Sequence, residues 1–256
     1  MIKSLDHGRV RELRLDRPPV NALDPGLMSA LRTALAQAHG DGCGAVVLSG
    51  APGVFSAGLD VPALLALGRA ELRDTWELFF SLLADLARAE IPVGAALTGH
   101  SPAGGTVLAL FADHRVMADG PFRIGLNEVQ VGLPVPEVIY RGLVFLVGER
   151  NAARMAVSGA LVEPAEALRV GLVDAVVPGD EVIPQTIGWA SDLITRPATA
   201  QRGTRALVRR PLREAFAGAD RAFFDGIVEQ WFSDETQRVL QGLVARLGKR
   251  TRGEGA

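Results

Sequence analysis

Two spacings of apolar residues divide this chain. Short runs fit strands, and stripes at three- and four-residue intervals fit helices. Val10 to Leu15 alternates imperfectly and reads as an early strand. Asp24-Pro25 predicts a helix start, a capping side chain followed by proline at the first helical position. Leu27, Leu31, Ala34, Leu35 and Ala38 then keep helical spacing. Ala45-Val46-Val47-Leu48, bounded by Gly44 and Gly50, predicts a buried strand. Leu72, Trp76, Phe79, Phe80, Leu83 and Leu86 form one helical stripe. Val93 to Thr98 predicts another strand, and after a Gly-rich turn a helix is expected from about Gly105 to Asp113. Arg115 to Ala118 and Phe122 to Ile124 predict two more short strands. Strands alternating with helices argue for an α/β fold with parallel pairing.

From Glu137 onward the spacing is helical, apart from a strand at Val173 to Val177. Phe216, Phe223, Phe224, Ile227, Trp231, Val239 and Leu243 mark long amphipathic helices that need a surface to pack on, the core or another subunit. Residues 1–190 are therefore read as the α/β core and 191–256 as a helical packing or assembly region. The tail from Gly248 to Ala256 is polar and Gly-rich and is expected to fray.

Composition narrows the function classes. The formal charge is −2, so no broad field points to nucleic acid or an anionic membrane. No apolar run has the length needed to span a bilayer. The first residues lack the apolar core of a signal peptide, so the expected location is the cytoplasm. Cys43 is the single cysteine, which excludes an intrachain disulfide and a cysteine metal site. No second ligand stands at metal spacing from His100 or His114, so both are read as packing or hydrogen-bonding residues and no metal is expected.

Three segments carry candidate chemistry: Phe55-Ser56-Ala57-Gly58-Leu59-Asp60, Gly99-His100-Ser101-Pro102-Ala103-Gly104-Gly105 and Ile124-Gly125-Leu126-Asn127-Glu128. The first two are Gly-containing turns between a strand end and a helix, which leave backbone N–H groups unpaired. Two converging N–H donors stabilise charge developing on a carbonyl oxygen. Taken alone, such turns are commonly structural.

With Leu15-Asp16-Arg17-Pro18, Asn21-Ala22-Leu23, Pro164 to Leu168 and Gly171-Leu172-Val173-Asp174, these segments resemble the crotonase, or enoyl-CoA hydratase/isomerase, superfamily over nearly the whole chain. The resemblance implies a ββα spiral core with a C-terminal helical trimerisation region, and a homotrimer or dimer of trimers. It implies an acyl-CoA substrate, with the coenzyme A thioester as substrate and no separate cofactor. The thioester oxygen would be held by the N–H groups of Leu59 and Gly104. Phe55, Ser56, Ala57, Asp60, Gly105 and Asn127 would lie against the CoA or acyl part. Hydratases of this family resemble one another in two glutamates that hold a water. Here the first position is Val107, which cannot polarise water, and the second matches Glu128. The stretch from Pro102 to Gly105, Ile124 to Glu128, Gln130 and Gly132 is most similar to mitochondrial-type 3,2-enoyl-CoA isomerases. Glu128 would then be the sole acid–base residue. A hydratase of unusual construction and a non-catalytic acyl-CoA-binding protein are the alternatives.

Other charged residues have simpler readings. Glu137 follows Pro136 and most simply opens a helix. Asp60 also reads as a cap for the segment that follows it. Arg202, Arg205, Arg209, Arg210 and Arg213 form a basic stretch that fits either a solvated helix face or contact with the phosphates of CoA.

Overall fold

The apolar runs become strands because both of their faces are covered. A computed structural model describes the backbone of residues 1–253 and the side chains of residues 1–246. The chain runs β1 (Ile2–His7), β2 (Val10–Leu15), α1 (Pro25–Gly40), β3 (Ala45–Ser49), β4 (Gly53–Val54), α2 (Val61–Leu65) and α3 (Arg69–Arg88). It continues through β5 (Val93–Leu97), β6 (Gly99–Pro102), α4 (Gly104–Leu110), β7 (His114–Ala118) and β8 (Ile124–Gly125). A 3-10 turn over Glu128–Val131 leads to α5 (Glu137–Ser158), α6 (Pro164–Val170), β9 (Ala175–Val177) and α7 (Val182–Leu193). The last helices are α8 (Ala198–Val208), α9 (Arg210–Glu214), α10 (Arg221–Trp231) and α11 (Asp234–Gly253).

The main sheet has the order β1-β2-β3-β5-β7-β9. Only the β1–β2 hairpin is antiparallel, and the other pairings are parallel. All five residues of β3 are buried, and their alternation sorts them between two layers. Val46 and Leu48 join the large core with α1 and α3, whereas Ala45 and Val47 face α7. The stripe from Leu72 to Leu86 on α3 is buried in that large core. Asp24 caps α1 by accepting from Leu27 N at 2.7 Å.

A second sheet, β4-β6-β8, differs from the sequence reading. Gly99–Pro102, whose composition predicts a turn, pairs with β4 and β8 as a short parallel strand. The strand expected over Phe122 to Ile124 begins at Ile124, because the Arg123 amide is taken by His100 Nδ1 at 3.2 Å and cannot join a ladder. The helix expected from Gly105 starts one residue earlier and ends at Leu110.

The C-terminal helices turn back onto their own chain. Phe223 and Phe224 stand 5.0 and 5.7 Å from the Phe80 ring, and Trp231 stands 6.4 Å from Trp76. The backbone stays helical to Gly253, beyond the point where fraying was expected, and residues 254–256 lie outside the described residues. Among the described residues, no helix is long and apolar enough to cross a membrane.

Candidate active site

Two backbone amides converge at the start of α4. The first belongs to Leu59. A bridge joins Leu23 to Leu59: Leu23 N donates to Gly58 O at 2.7 Å, and Asp60 N donates to Leu23 O at 3.0 Å. That pairing leaves the Leu59 N–H on the opposite side. Gly58 makes the turn with a φ of 88°. Asn21 braces it from behind, donating from Nδ2 to Phe55 O at 3.0 Å and accepting from Ser56 Oγ through its own carbonyl at 2.8 Å. The second amide belongs to Gly104, the first residue of α4. Within the described residues neither amide has an acceptor. A Cβ on Gly104 would lie 3.0 Å from Gly58 Cα and 3.2 Å from Leu59 N, so the turns approach at van der Waals limits.

Glu128 opens the 3-10 turn that follows β8. Gly132 ends that turn in the left-handed region, and its carbonyl accepts from the Thr236 hydroxyl of α11 at 2.6 Å. Glu128 Oε2 is buried without a hydrogen-bond partner, and so is Asn127 Oδ1 beside it. Burial pushes the Glu128 carboxyl up to about 7, against a small opposing effect of its own backbone amide. A carboxylate with that value exchanges protons readily near neutral pH.

Glu128, Leu59 and Gly104 border one cavity of about 790 Å³. Val107 lines it as well, as do Ala57, Asp60 and Asn127. The rest of its lining is mostly apolar, with Trp76 and Phe79 from α3, Ile139 from α5, and Phe223, Ile227 and Trp231 from α10, beside Arg17 and Gln230. Asp60 is the other acid on this cavity among the described residues, and it is already engaged. Its carboxylate pairs with Arg17 at 2.7 Å and accepts from Ala63 N at 3.1 Å, capping α2.

Three residues expected against the substrate do not border the cavity. Phe55 is fully buried in the large core. The Ser56 hydroxyl donates to the Asn21 carbonyl and accepts from Gly58 N at 3.2 Å. Gly105 packs on the Ser56 carbonyl, where a Cβ would come within 2.5 Å. All three shape the two turns from behind. Glu137 is exposed and pairs with Arg141 one helical turn along. His114 stacks on Trp189 at 4.7 Å. Among the described residues no cluster of His, Cys, Asp and Glu could hold a metal ion.

The basic stretch divides. Arg205 and Arg209 are buried or nearly so and share Asp113, at 2.8 and 2.9 Å. Arg209 also donates to Leu86 O and Phe111 O at 3.0 and 2.6 Å, pinning the ends of α3 and α4. Neither reading of the whole stretch describes these two residues.

The sequence reading missed the bracing role of Asn21 and the aromatic wall. Asn21 carries a local signal, a left-handed φ of 50° that asparagine tolerates better than most residues. The aromatic wall carries none, since a stripe such as Trp76-Phe79-Phe80 reads as core whether or not one side opens on a cavity.

Comparison with known proteins gives a consistent neighbourhood. A family model described as enoyl-CoA hydratase/isomerase matches residues 6–251. The human protein named enoyl-CoA delta isomerase 1, mitochondrial, is 32% identical over 241 residues, covering 93% of this chain and 80% of its own length. A Mycobacterium avium protein named as a probable enoyl-CoA hydratase is 31% identical over 219 residues, covering 83% of this chain and 84% of its own. The crystal structure of human mitochondrial delta3-delta2-enoyl-CoA isomerase superposes with a TM-score of 0.93 at 31% identity, covering 97% of this chain and 98% of that one.

Proposed function

We propose that this chain, which belongs to the enoyl-CoA hydratase/isomerase family, is an isomerase that moves the double bond of a 3-enoyl-CoA to the trans-2 position. The observation that carries the reading is that, among the described residues, Glu128 is the one uncommitted carboxylate on the cavity, which it shares with two free amides and with Val107. The thioester oxygen sits between Leu59 N–H and Gly104 N–H. Glu128 takes a proton from C2, and the electron pair of that C–H bond passes into a dienolate whose oxygen charge the two amides stabilise. The C2=C3 double bond forms as the C3=C4 bond is lost, and the carboxylic acid returns the proton to C4. Atoms and charge balance without water or a further cofactor.

Adding water across a double bond would be served by a second polar group, and Val107 supplies none. The same reading carries a role in fatty-acid β-oxidation or related acyl-CoA metabolism. It also carries a homotrimer or dimer of trimers in which residues 191–256 serve assembly.

The test is Glu128→Gln assayed on a 3-enoyl-CoA. General acid–base catalysis is worth roughly 10²–10⁴-fold, so the variant is expected to lose about 10³-fold in kcat while still binding acyl-CoA. Near-normal turnover by the variant sinks the assignment. Hydration of a 2-enoyl-CoA by the unaltered protein, faster than its isomerisation, favours the hydratase alternative. Binding of acyl-CoA with no turnover of either substrate favours the non-catalytic one.

A further inference from the structure

Ala103 stands where the backbone least favours a side chain. Its φ of 47° and ψ of −121° lie in a region that glycine adopts freely and residues with a Cβ avoid. Its neighbours leave it no way to relax. The Ala103 amide donates to Gly125 O at 2.9 Å, and its carbonyl accepts from Val107 N at 2.9 Å. The Thr106 hydroxyl donates to Ser101 O at 2.5 Å and accepts from Gly125 N at 2.8 Å, locking the same turn. A non-glycine residue in such a conformation persists only where its surroundings over-determine it, and such residues cluster at functional sites.

Glycine would hold this turn with less strain, so the methyl group is what the strain retains. That methyl lies against the opposite turn. A Cβ on Gly58 would sit 3.0 Å from it and 2.9 Å from Gly104 N. The turn it faces carries the Leu59 amide, and the residue that follows Ala103 carries the Gly104 amide. Ala103 also borders the cavity.

We propose that Ala103 is a positioning residue whose methyl is a spacer, holding the Gly58–Leu59 turn and the Gly104 turn at the separation where both amides reach one oxygen. Donors to a developing oxyanion act at about 2.7–3.1 Å, and the interaction weakens quickly outside that range. Without the methyl, the Gly58 turn settles toward residue 103. The peptide between residues 103 and 104 also gains freedom to rotate. The spacer role rests on the isomerase reading for its rate assay, but its effect on oxyanion binding does not need turnover.

The experiment is Ala103→Gly in the full chain. Tm is expected to stay within about 3 °C of the original or to rise, because relieved strain offsets the added freedom of the unfolded glycine. On trans-3-hexenoyl-CoA, kcat is expected to fall about tenfold while KM changes less than about threefold, the signature of a loss confined to the transition state. Acetoacetyl-CoA should bind with a weaker enolate absorbance, while hexanoyl-CoA binds as before. Ala103→Ser keeps the Cβ and should recover kcat to within about threefold of the original. A kcat for Ala103→Gly within about twofold of the original overturns the proposal. So does a parallel fall of Tm and kcat in both variants, which is what an ordinary packing role gives. If the unaltered chain turns over no hexenoyl-CoA, the isomerase reading fails. The acetoacetyl-CoA comparison then still decides whether Ala103 sets the donor geometry: an undiminished enolate band in Ala103→Gly overturns the spacer.

Discussion

The cavity has two unlike walls. One is built from backbone: the turns around Gly58 and Gly104 meet with atoms 3.0–3.2 Å from where one extra carbon would stand. The other is built from rings on α3 and α10, with centroids 5.0–6.4 Å apart. The backbone wall is fixed by hydrogen bonds with defined directions, such as Leu23 N to Gly58 O at 2.7 Å. The aromatic wall is fixed by area, which is large but weakly directional. The difference teaches where chemistry and selectivity can reside. A wall that admits no added atom can hold an oxygen in register. Under the proposed function, a wall of side chains can be repacked to fit different acyl chains while the donors stay in place.

The largest expected effect breaks the aromatic wall. Trp231 is 1% exposed, meets Trp76 edge-on and borders the cavity. Trp231→Ala should destabilise the fold by about 3–5 kcal/mol, the usual cost of truncating a buried aromatic. It should leave kcat on a short acyl chain within about tenfold of the original, because the amides and Glu128 are untouched. Urea denaturation and steady-state kinetics check the two halves. A variant that keeps its stability but loses its chemistry would invert the contrast between the walls.

The next effect breaks the backbone wall. Gly104→Ala places a methyl 3.1 Å from Leu23 Cδ1 and 3.2 Å from Leu59 N, so the turns must part. Loss of one oxyanion donor costs roughly 10²–10³ in kcat, about 3 kcal/mol in the barrier. Rate measurement on a 3-enoyl-CoA should show that loss with a smaller change in KM. Unchanged turnover would mean that the two amides do not act together.

These walls were unequally legible in the sequence. The choice of the Leu59 and Gly104 amides and of Glu128 came from the resemblance to the enoyl-CoA hydratase/isomerase family, not from turns or caps, but Gly58 and Gly104 sit in Gly-containing turns that are legible locally. Strands β2, β3 and β5 were legible for a similar reason, since their spacing reports burial directly. The small sheet was not, because Gly99-His100-Ser101-Pro102 has the composition of a turn and becomes a strand only when β4 and β8 arrive beside it. The aromatic wall depends on α10 folding back across roughly 150 residues to meet α3, and no local signal encodes that meeting. Arg205 and Arg209 make the same point. Their four-residue spacing puts them on one helical face, but Asp113 and the carbonyls that bury them come from distant segments.

The smallest effect sharpens the comparison through pH, because Glu128 borders the same cavity and its titration reports how dry that cavity is. Burial raises the Glu128 carboxyl from 4.5 to about 7. Under the proposed isomerase mechanism the group must be ionised to take the proton at C2. The value of kcat/KM should therefore climb with pH to a plateau above about 7 and fall about tenfold per unit below it. For stability the sign is opposite. A raised value means that the folded state favours the protonated acid, so the group's contribution is full below 4.5 and is lost as pH rises through about 7. Glu128→Gln cannot ionise and should gain stability relative to the original chain across that window. The gain should reach about 2 kcal/mol by pH 8, allowing for the residue's partial exposure. Paired urea melts at pH 5 and pH 8 measure it. A Glu128→Gln difference that is flat with pH, or a rate profile that turns near 4.5, would mean that the carboxylate stands in water and that the aromatic wall does not shield it.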